Sequence, residues 1–356
     1  MAGCFNPLAE FEFAPAEIEA VVRRNGLLSM EIEFSRRCNF KCPYCYVPRQ
    51  LELADELRPA EIRDVILQAR DLGARKLIVL GGEPSIYPRL PEMLAFSANL
   101  GLEIEMFTNG SGLTDELVDM LAARRVRVVL KMNSFKPEVQ DRLTGIAGSH
   151  RIIQEALGRL RSAGYPSADR FLAISTVICQ DNLAEIPDLW RWLRDEGIAP
   201  YFEMITPQAN ALKHPELFVA SDAQRALFEA IAAIDRTCYG LNWEPQPPLM
   251  GNKCLRHRFS CLVTARGDVM PCVGVTLPVG NVRHQPLAAI LQQSQVIRDL
   301  KNHRQTIKGP CRTCDKAAEC YGCRGAAFQM TGDYLASDPL CWKQAEDQAA
   351  CTRAAC

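Results

Sequence analysis

Cys38, Cys42 and Cys45 fall within eight residues of one another in the stretch CNFKCPYCYV. Thiolates are soft metal ligands, and C-x3-C-x2-C spacing wraps a short loop around one corner of a metal centre. Three thiolates are one short of a closed tetrahedral site, and no histidine occurs before His150 to complete it. A 4Fe–4S cube bound by three cysteines leaves one iron without a protein ligand, which is where chemistry would take place. A zinc site and a chance grouping of buried cysteines are the alternatives that spacing alone leaves open.

The chain has 356 residues and 16 cysteines. Eight form a group between residues 254 and 341: Cys254, Cys261, Cys272, Cys311, Cys314, Cys320, Cys323 and Cys341. Cys179 and Cys238 stand between the two groups, and Cys4, Cys351 and Cys356 near the termini read as incidental. The N-terminus has acidic residues where a signal peptide needs an apolar run, so a reducing, cytoplasmic setting and metal-binding cysteines are expected rather than disulfides. Runs such as KLIVL and VRVVL are too short to span a bilayer. A net charge of −1 gives no electrostatic footprint for nucleic acid or an anionic membrane, so neither is expected as a partner.

The elements that must position the first cysteines alternate in type. SMEIEF, KLIVL, LEIEMF, VRVVLKM, FLAISTVI and YFEMI read as strands. Helical patterns lie between them, among them RPAEIRDVILQARDLG, TDELVDMLAARR, SHRIIQEALGRLRSAG and LAEIPDLWRWLRDEG. Six strand–helix units predict a parallel sheet, an α/β (β/α)6 partial TIM barrel, followed by a small cysteine-rich domain. The divisions expected are an N-terminal extension (1–28), the barrel (29–215), a linker helix and Pro-rich break (216–250), the cysteine-rich domain (251–345) and a tail (346–356). Ligands gather at the C-terminal ends of barrel strands, and SRRCNFKCPYC, GGEP, TNG and NS follow the first four strands.

C-x3-C-x2-C after the first strand with GGEP after the second resembles the radical S-adenosylmethionine superfamily, over about residues 29–215. The resemblance implies that Cys38, Cys42 and Cys45 hold a 4Fe–4S cluster. The amino and carboxylate groups of S-adenosylmethionine then chelate its open iron, and electron transfer yields a 5′-deoxyadenosyl radical. It also implies that Gly81, Gly82, Glu83 and Pro84 bind the methionyl amine, with glycines allowing close backbone approach and Glu83 accepting from the ammonium. Tyr44 matches the aromatic position near the adenine, with loop packing as its structural alternative. Thr108, Asn109, Asn133 and Ser134 match contacts to ribose and carboxylate, with strand-end hydrogen bonding as theirs.

C-x2-C-x5-C-x2-C at Cys311–Cys323, with Cys254, Gly267 and Cys272 upstream and Cys341 downstream, resembles the SPASM extension of that superfamily. The family places three residues, not two, before the fourth cysteine of the tight group, which puts the role of Cys323 in question. By the family's interleaved pattern Cys254, Cys261, Cys272 and Cys323 hold one auxiliary 4Fe–4S cluster. Cys311, Cys314, Cys320 and Cys341 hold another. Two zinc ions are the alternative for the same thiolates.

Auxiliary clusters suit net oxidation, because they accept the electron left on a substrate radical. The resemblance favours oxidation or crosslinking of a peptide or protein, with an external donor such as flavodoxin or ferredoxin. The 28 residues before the first predicted strand are too few for a leader-peptide recognition domain, which is then expected as a separate protein. Val273 after Cys272 departs from the acidic residue of the sulfatase-maturing branch. The alternatives are a dehydrogenase or epimerase for a small sugar- or aminocyclitol-like intermediate, and a non-catalytic iron–sulfur scaffold. Epimerisation needs a hydrogen-atom donor; Cys179 ends the fifth strand but reads better as a buried apolar residue. Arg142 in DRLTG reads as a loop salt bridge rather than a substrate-side cation, and RHR (256–258) and KNHRQTIK as solvated surface rather than a site for an acidic partner.

Overall fold

The computed structural model describes residues 13–48 and 53–343; Cys4, Cys351, Cys356 and the predicted tail lie outside them. Each apolar run forms a strand: β1 (Ser29–Glu33), β2 (Lys76–Leu80), β3 (Glu103–Thr108), β4 (Arg127–Lys131), β5 (Leu172–Ile178) and β6 (Ala199–Met204). All five pairings between consecutive strands are parallel. The sheet continues beyond β1 through β7 (Leu262–Val263), β8 (Asp268–Met270) and β9 (Gly280–Asn281), in the order β6-β5-β4-β3-β2-β1-β7-β8-β9. β7 runs parallel to β1, and β8 and β9 follow antiparallel. The boundary expected at residue 251 therefore falls between strands of one sheet.

The first eight helices are α1 (Pro15–Arg23), α2 (Pro59–Asp71), α3 (Leu90–Asn99), α4 (Asp115–Ala123), α5 (Pro137–Thr144), α6 (Ser149–Ser162), α7 (Ile186–Asp195) and α8 (Ser221–Ile234). Local chemistry sets several of their ends. Thr114 caps α4 by accepting from the Leu117 amide at 3.2 Å, and Asp115 and Glu116 favour its positive N-terminal end. α5 begins on Pro137 and stops at Gly145, whose φ of 66° is the left-handed conformation glycine adopts without strain.

Outward-facing residues such as Ile32, Val79, Met106, Leu130, Ile174 and Phe202 form the main core with the helices. Complete burial of such a side chain contributes roughly 1.5–3 kcal/mol. The inward face carries charge: Glu31, Glu105 and Arg127 are buried there, and Arg127 Nε donates to Glu105 at 3.2 Å.

β6 is the open edge of the partial barrel, with backbone groups that need partners. The Pro-rich break supplies them rather than acting as a free linker. Met204 donates to the Pro248 carbonyl at 3.1 Å, and Met250 to that of Phe202 at 3.0 Å. The last helices are α9 (Leu287–Gln293), α10 (Gln295–Lys301), α11 (His303–Thr306), α12 (Pro310–Thr313) and α13 (Arg324–Thr331). The RHR stretch is not solvated surface. Arg256 reaches inward to buried Glu31 and donates to the Tyr201 hydroxyl at 2.6 Å, His257 is buried, and Arg258 pairs with Glu19 at 2.9 Å. Lys301 and His303 of KNHRQTIK are buried too.

Candidate active site

The loop after β1 carries Cys38, Cys42 and Cys45 to the C-terminal mouth of the barrel, where all three line a cavity of ≈ 220 Å³. Gly81, Gly82, Glu83, Thr108 and Asn109 line the same cavity. Cys38 is exposed at the rim. Burial, helped by the nearby Cys45 thiol, pushes the Cys42 thiol up to about 12, so it is protonated until a metal displaces the proton. Three thiols beside an open cavity fit a cluster with one iron left to an exogenous ligand.

GGEP clamps this loop. Gly82 donates to the Ser35 carbonyl and Glu83 to that of Arg37, both at 2.8 Å. A Cβ on Gly81 would collide with the Ser35 carbonyl, and one on Gly82 with that of Arg37. Those glycines make room for the cysteine loop itself. Pro84 begins a short turn whose Ser85 amide donates to Glu83 Oε1 at 2.8 Å. Glu83 Oε1 also accepts from Thr108 Oγ1 at 2.5 Å, and Oε2 from the Asn109 amide at 2.6 Å. Burial raises the Glu83 carboxyl and these donors oppose the rise; Oε2 keeps capacity for a further cationic donor. Asn109 Nδ2 donates to Asn39 at 3.1 Å, bracing the cysteine loop from a third strand.

Asn133 and Ser134 are buried behind the cavity wall rather than lining it. Asn133 Oδ1 accepts from the Val177 amide at 3.0 Å, and its Nδ2 donates to the Tyr44 hydroxyl at 2.6 Å. Ser134 Oγ donates to Glu185 at 2.9 Å. Asn133 thus orients Tyr44, which does line the cavity. Cys179 is fully buried, with its Sγ 3.4 Å from Asn182 Oδ1, and packs among Val139, Leu143 and Ile205. Arg142 is taken by Asp181 at 2.7 Å.

The sequence reading missed Lys131, Ser175 and Glu203, which line the cavity opposite the cysteines' strand. Lys131 Nζ donates to Ser175 Oγ at 3.3 Å and lies 5.2 Å from the centre of the Tyr44 ring. The available signal was charge within otherwise apolar runs: Arg127 and Lys131 in VRVVLKM, and Glu203 in YFEMI.

The rear cysteines divide. Cys254 and Cys272 both lie near enough to Cys323 to add to the rise that burial gives its thiol, and burial, with Cys254 adding to it, pushes Cys272 up to about 12. Cys311, Cys314, Cys320 and Cys341 form the second set, where burial pushes Cys320 up to about 11 and Cys341 up to about 12. Cys261 is buried in the main core, among residues on the outer side of the sheet. Among the described residues no three His, Cys, Asp or Glu side chains converge tightly enough for a single metal ion, whose tetrahedral thiolates stand roughly 4 Å apart.

Residues 32–193 match the Radical SAM superfamily, and residues 254–315 match SPASM, an iron–sulfur cluster-binding domain. The chain belongs to the SPASM-domain radical SAM enzymes. It is 32% identical over 335 residues to a PqqA peptide cyclase of Streptomyces rochei, covering 88% of each chain. It is 28% identical over 336 residues to an AdoMet-dependent heme synthase of Methanosarcina barkeri, covering 87% of this chain and 94% of that one. Streptococcus suis SuiB bound to S-adenosylmethionine shares the fold, with a TM-score of 0.70 at 17% identity over 92% of this chain and 80% of that one. The protein is therefore an enzyme of a family that uses iron–sulfur clusters and S-adenosylmethionine. Among the described residues no helix is long and apolar enough to cross a membrane.

Proposed function

We propose that this enzyme oxidises or crosslinks a peptide or protein, with flavodoxin or ferredoxin as electron donor. The observation that carries this reading is the likeness to PqqA peptide cyclase along nearly the whole of both chains. Cys38, Cys42 and Cys45 would hold the front cluster, which with S-adenosylmethionine supplies a hydrogen-abstracting radical. Glu83 holds an ammonium through its remaining acceptor site, and Thr108 and Asn109 hold that carboxylate in place. Tyr44, fixed by Asn133, presents a ring face to the cavity. Lys131 and Glu203 place opposite charges on the far wall, where a polar substrate group meets a partner of either sign.

The second reading, oxidation of a small molecule, is favoured by the heme synthase likeness, which spans 94% of that relative. The test is anaerobic reconstitution, reduction and incubation with S-adenosylmethionine and short precursor peptides encoded beside the gene. Peptide turnover with deuterium passing from labelled peptide into deoxyadenosine is the expected result. Turnover of a tetrapyrrole with every peptide inert would overturn the peptide reading in favour of the second.

A further inference from the structure

Eight rear cysteines are enough for two cubes with four thiolates each, yet the sheet separates one of them from its expected companions. Cys261 immediately precedes β7, and its carbonyl accepts from the Glu31 amide at 2.9 Å, continuing the pairing with β1. Side chains alternate across a strand. Leu262 faces into the barrel, packed with Ile78 and Leu80. Cys261 and Val263 face outward, buried in the core that also holds Ile32, Val269 and Leu287. Cys254 lies on the other side, packed against the cluster of Val129, Ala173 and Tyr201. Its companions Cys272 and Cys323 are near it, so this set has three thiols.

A different side chain stands beside that set. His257 follows Cys254 at C-x2-H spacing, in a single tight turn over Arg256–Arg258. C-x2-C spacing places two ligands on one cube, and an imidazole at the second position has similar reach. His257 is only 4% exposed. Its ring lies close to the carbonyl of Pro271, the residue before Cys272. It packs at 5.3 Å on the ring of Tyr321, whose hydroxyl lies 3.5 Å from Cys254 Sγ. Its Nδ1 is buried without a partner. A metal-binding histidine characteristically gives its other ring N–H to a carbonyl, which fixes the tautomer and leaves the free nitrogen as ligand.

We propose that the auxiliary cluster nearer the barrel is held by Cys254, Cys272, Cys323 and Nδ1 of His257, with Cys261 a core residue and not a ligand. The proposal rests on the family assignment and is independent of the substrate. His303 is the rival ligand, because it too packs on Tyr321, at 5.1 Å, and has unpartnered ring nitrogens.

The test uses the full chain, reconstituted anaerobically with iron and sulfide. Cys261→Val is expected to keep the parent's iron content, about twelve per chain for three cubes. Pulsed EPR of the reduced protein, with Cys38, Cys42 and Cys45 replaced by Ala to remove the front signal, is expected to show imidazole nitrogen coupling. That coupling should vanish in His257→Ala and persist in His303→Ala. His257→Cys should restore full iron loading without the nitrogen signal, which separates ligation from a folding role. Loss of one cluster's iron in Cys261→Val overturns the proposal. So does absence of nitrogen coupling in the starting protein, or its survival in His257→Ala.

Discussion

Glu83 shows how much one carboxylate does here. It accepts from the Ser85 amide, the Thr108 hydroxyl and the Asn109 amide, joining the ends of β2 and β3 beneath the cysteine loop. Glu83→Gln replaces one acceptor oxygen by a donor facing these donors and removes the charge, a loss of about 1.5–3 kcal/mol per charged hydrogen bond. Affinity for S-adenosylmethionine should fall at least about tenfold in equilibrium binding to the reconstituted protein. Unchanged affinity would remove Glu83 from the binding site.

Lys131 makes a prediction in pH. Burial holds its ammonium below the usual 10.5, with Glu203 opposing, so the folded chain releases this proton before the unfolded chain does. The stability tied to that release is present above 10.5 and is lost as pH falls through the lowered folded value. Lys131→Met should therefore melt higher than the parent at neutral pH, with the difference shrinking as pH approaches 10.5. A difference that stays constant with pH in thermal melts under argon would contradict this account.

Among the elements, α7 and the end of α8 are joined by one buried acid. Asp235 accepts from Trp190 Nε1 at 2.7 Å, Arg194 Nη2 at 2.7 Å and Trp243 Nε1 at 2.8 Å. Asp235 and Arg194 are both almost completely buried. Asp235→Ala leaves the guanidinium without its counter-charge, at a cost of about 3–5 kcal/mol. Chemical denaturation should show that loss, whereas Asp235→Asn should recover part of it by keeping acceptors for the indoles.

On the scale of the whole molecule, barrel and cluster domain share one sheet and one core. β7 pairs with β1, and Leu287, Ile290 and Ile297 of the rear helices pack in the core that holds Met30 and Ile32. Arg283 adds a clamp, donating to Glu61 at 3.1 Å and to the Asp55 and Glu56 carbonyls at 3.0 and 2.9 Å. α1 closes the far end through Ile18 and Val21 against Leu28 and Phe259. Calorimetry of the reconstituted protein should therefore show one main unfolding transition. Two well-separated transitions, one for each predicted domain, would refute this shared core.

The strand pattern, the site of the three front cysteines and GGEP were legible in the sequence because each depends on neighbours a few residues away. Six apolar runs of strand length, each followed by a polar loop, determine which loops share the mouth of a parallel sheet. Tertiary structure alone decided which way side chains face. Lys131 and Glu203 point into the cavity, Asn133 orients Tyr44 from behind it, Cys261 turns to the core, and Arg256 reaches inward to Glu31. Alternation along a strand establishes that successive residues face opposite sides, but only pairing with strands distant in the chain establishes what lies on each side.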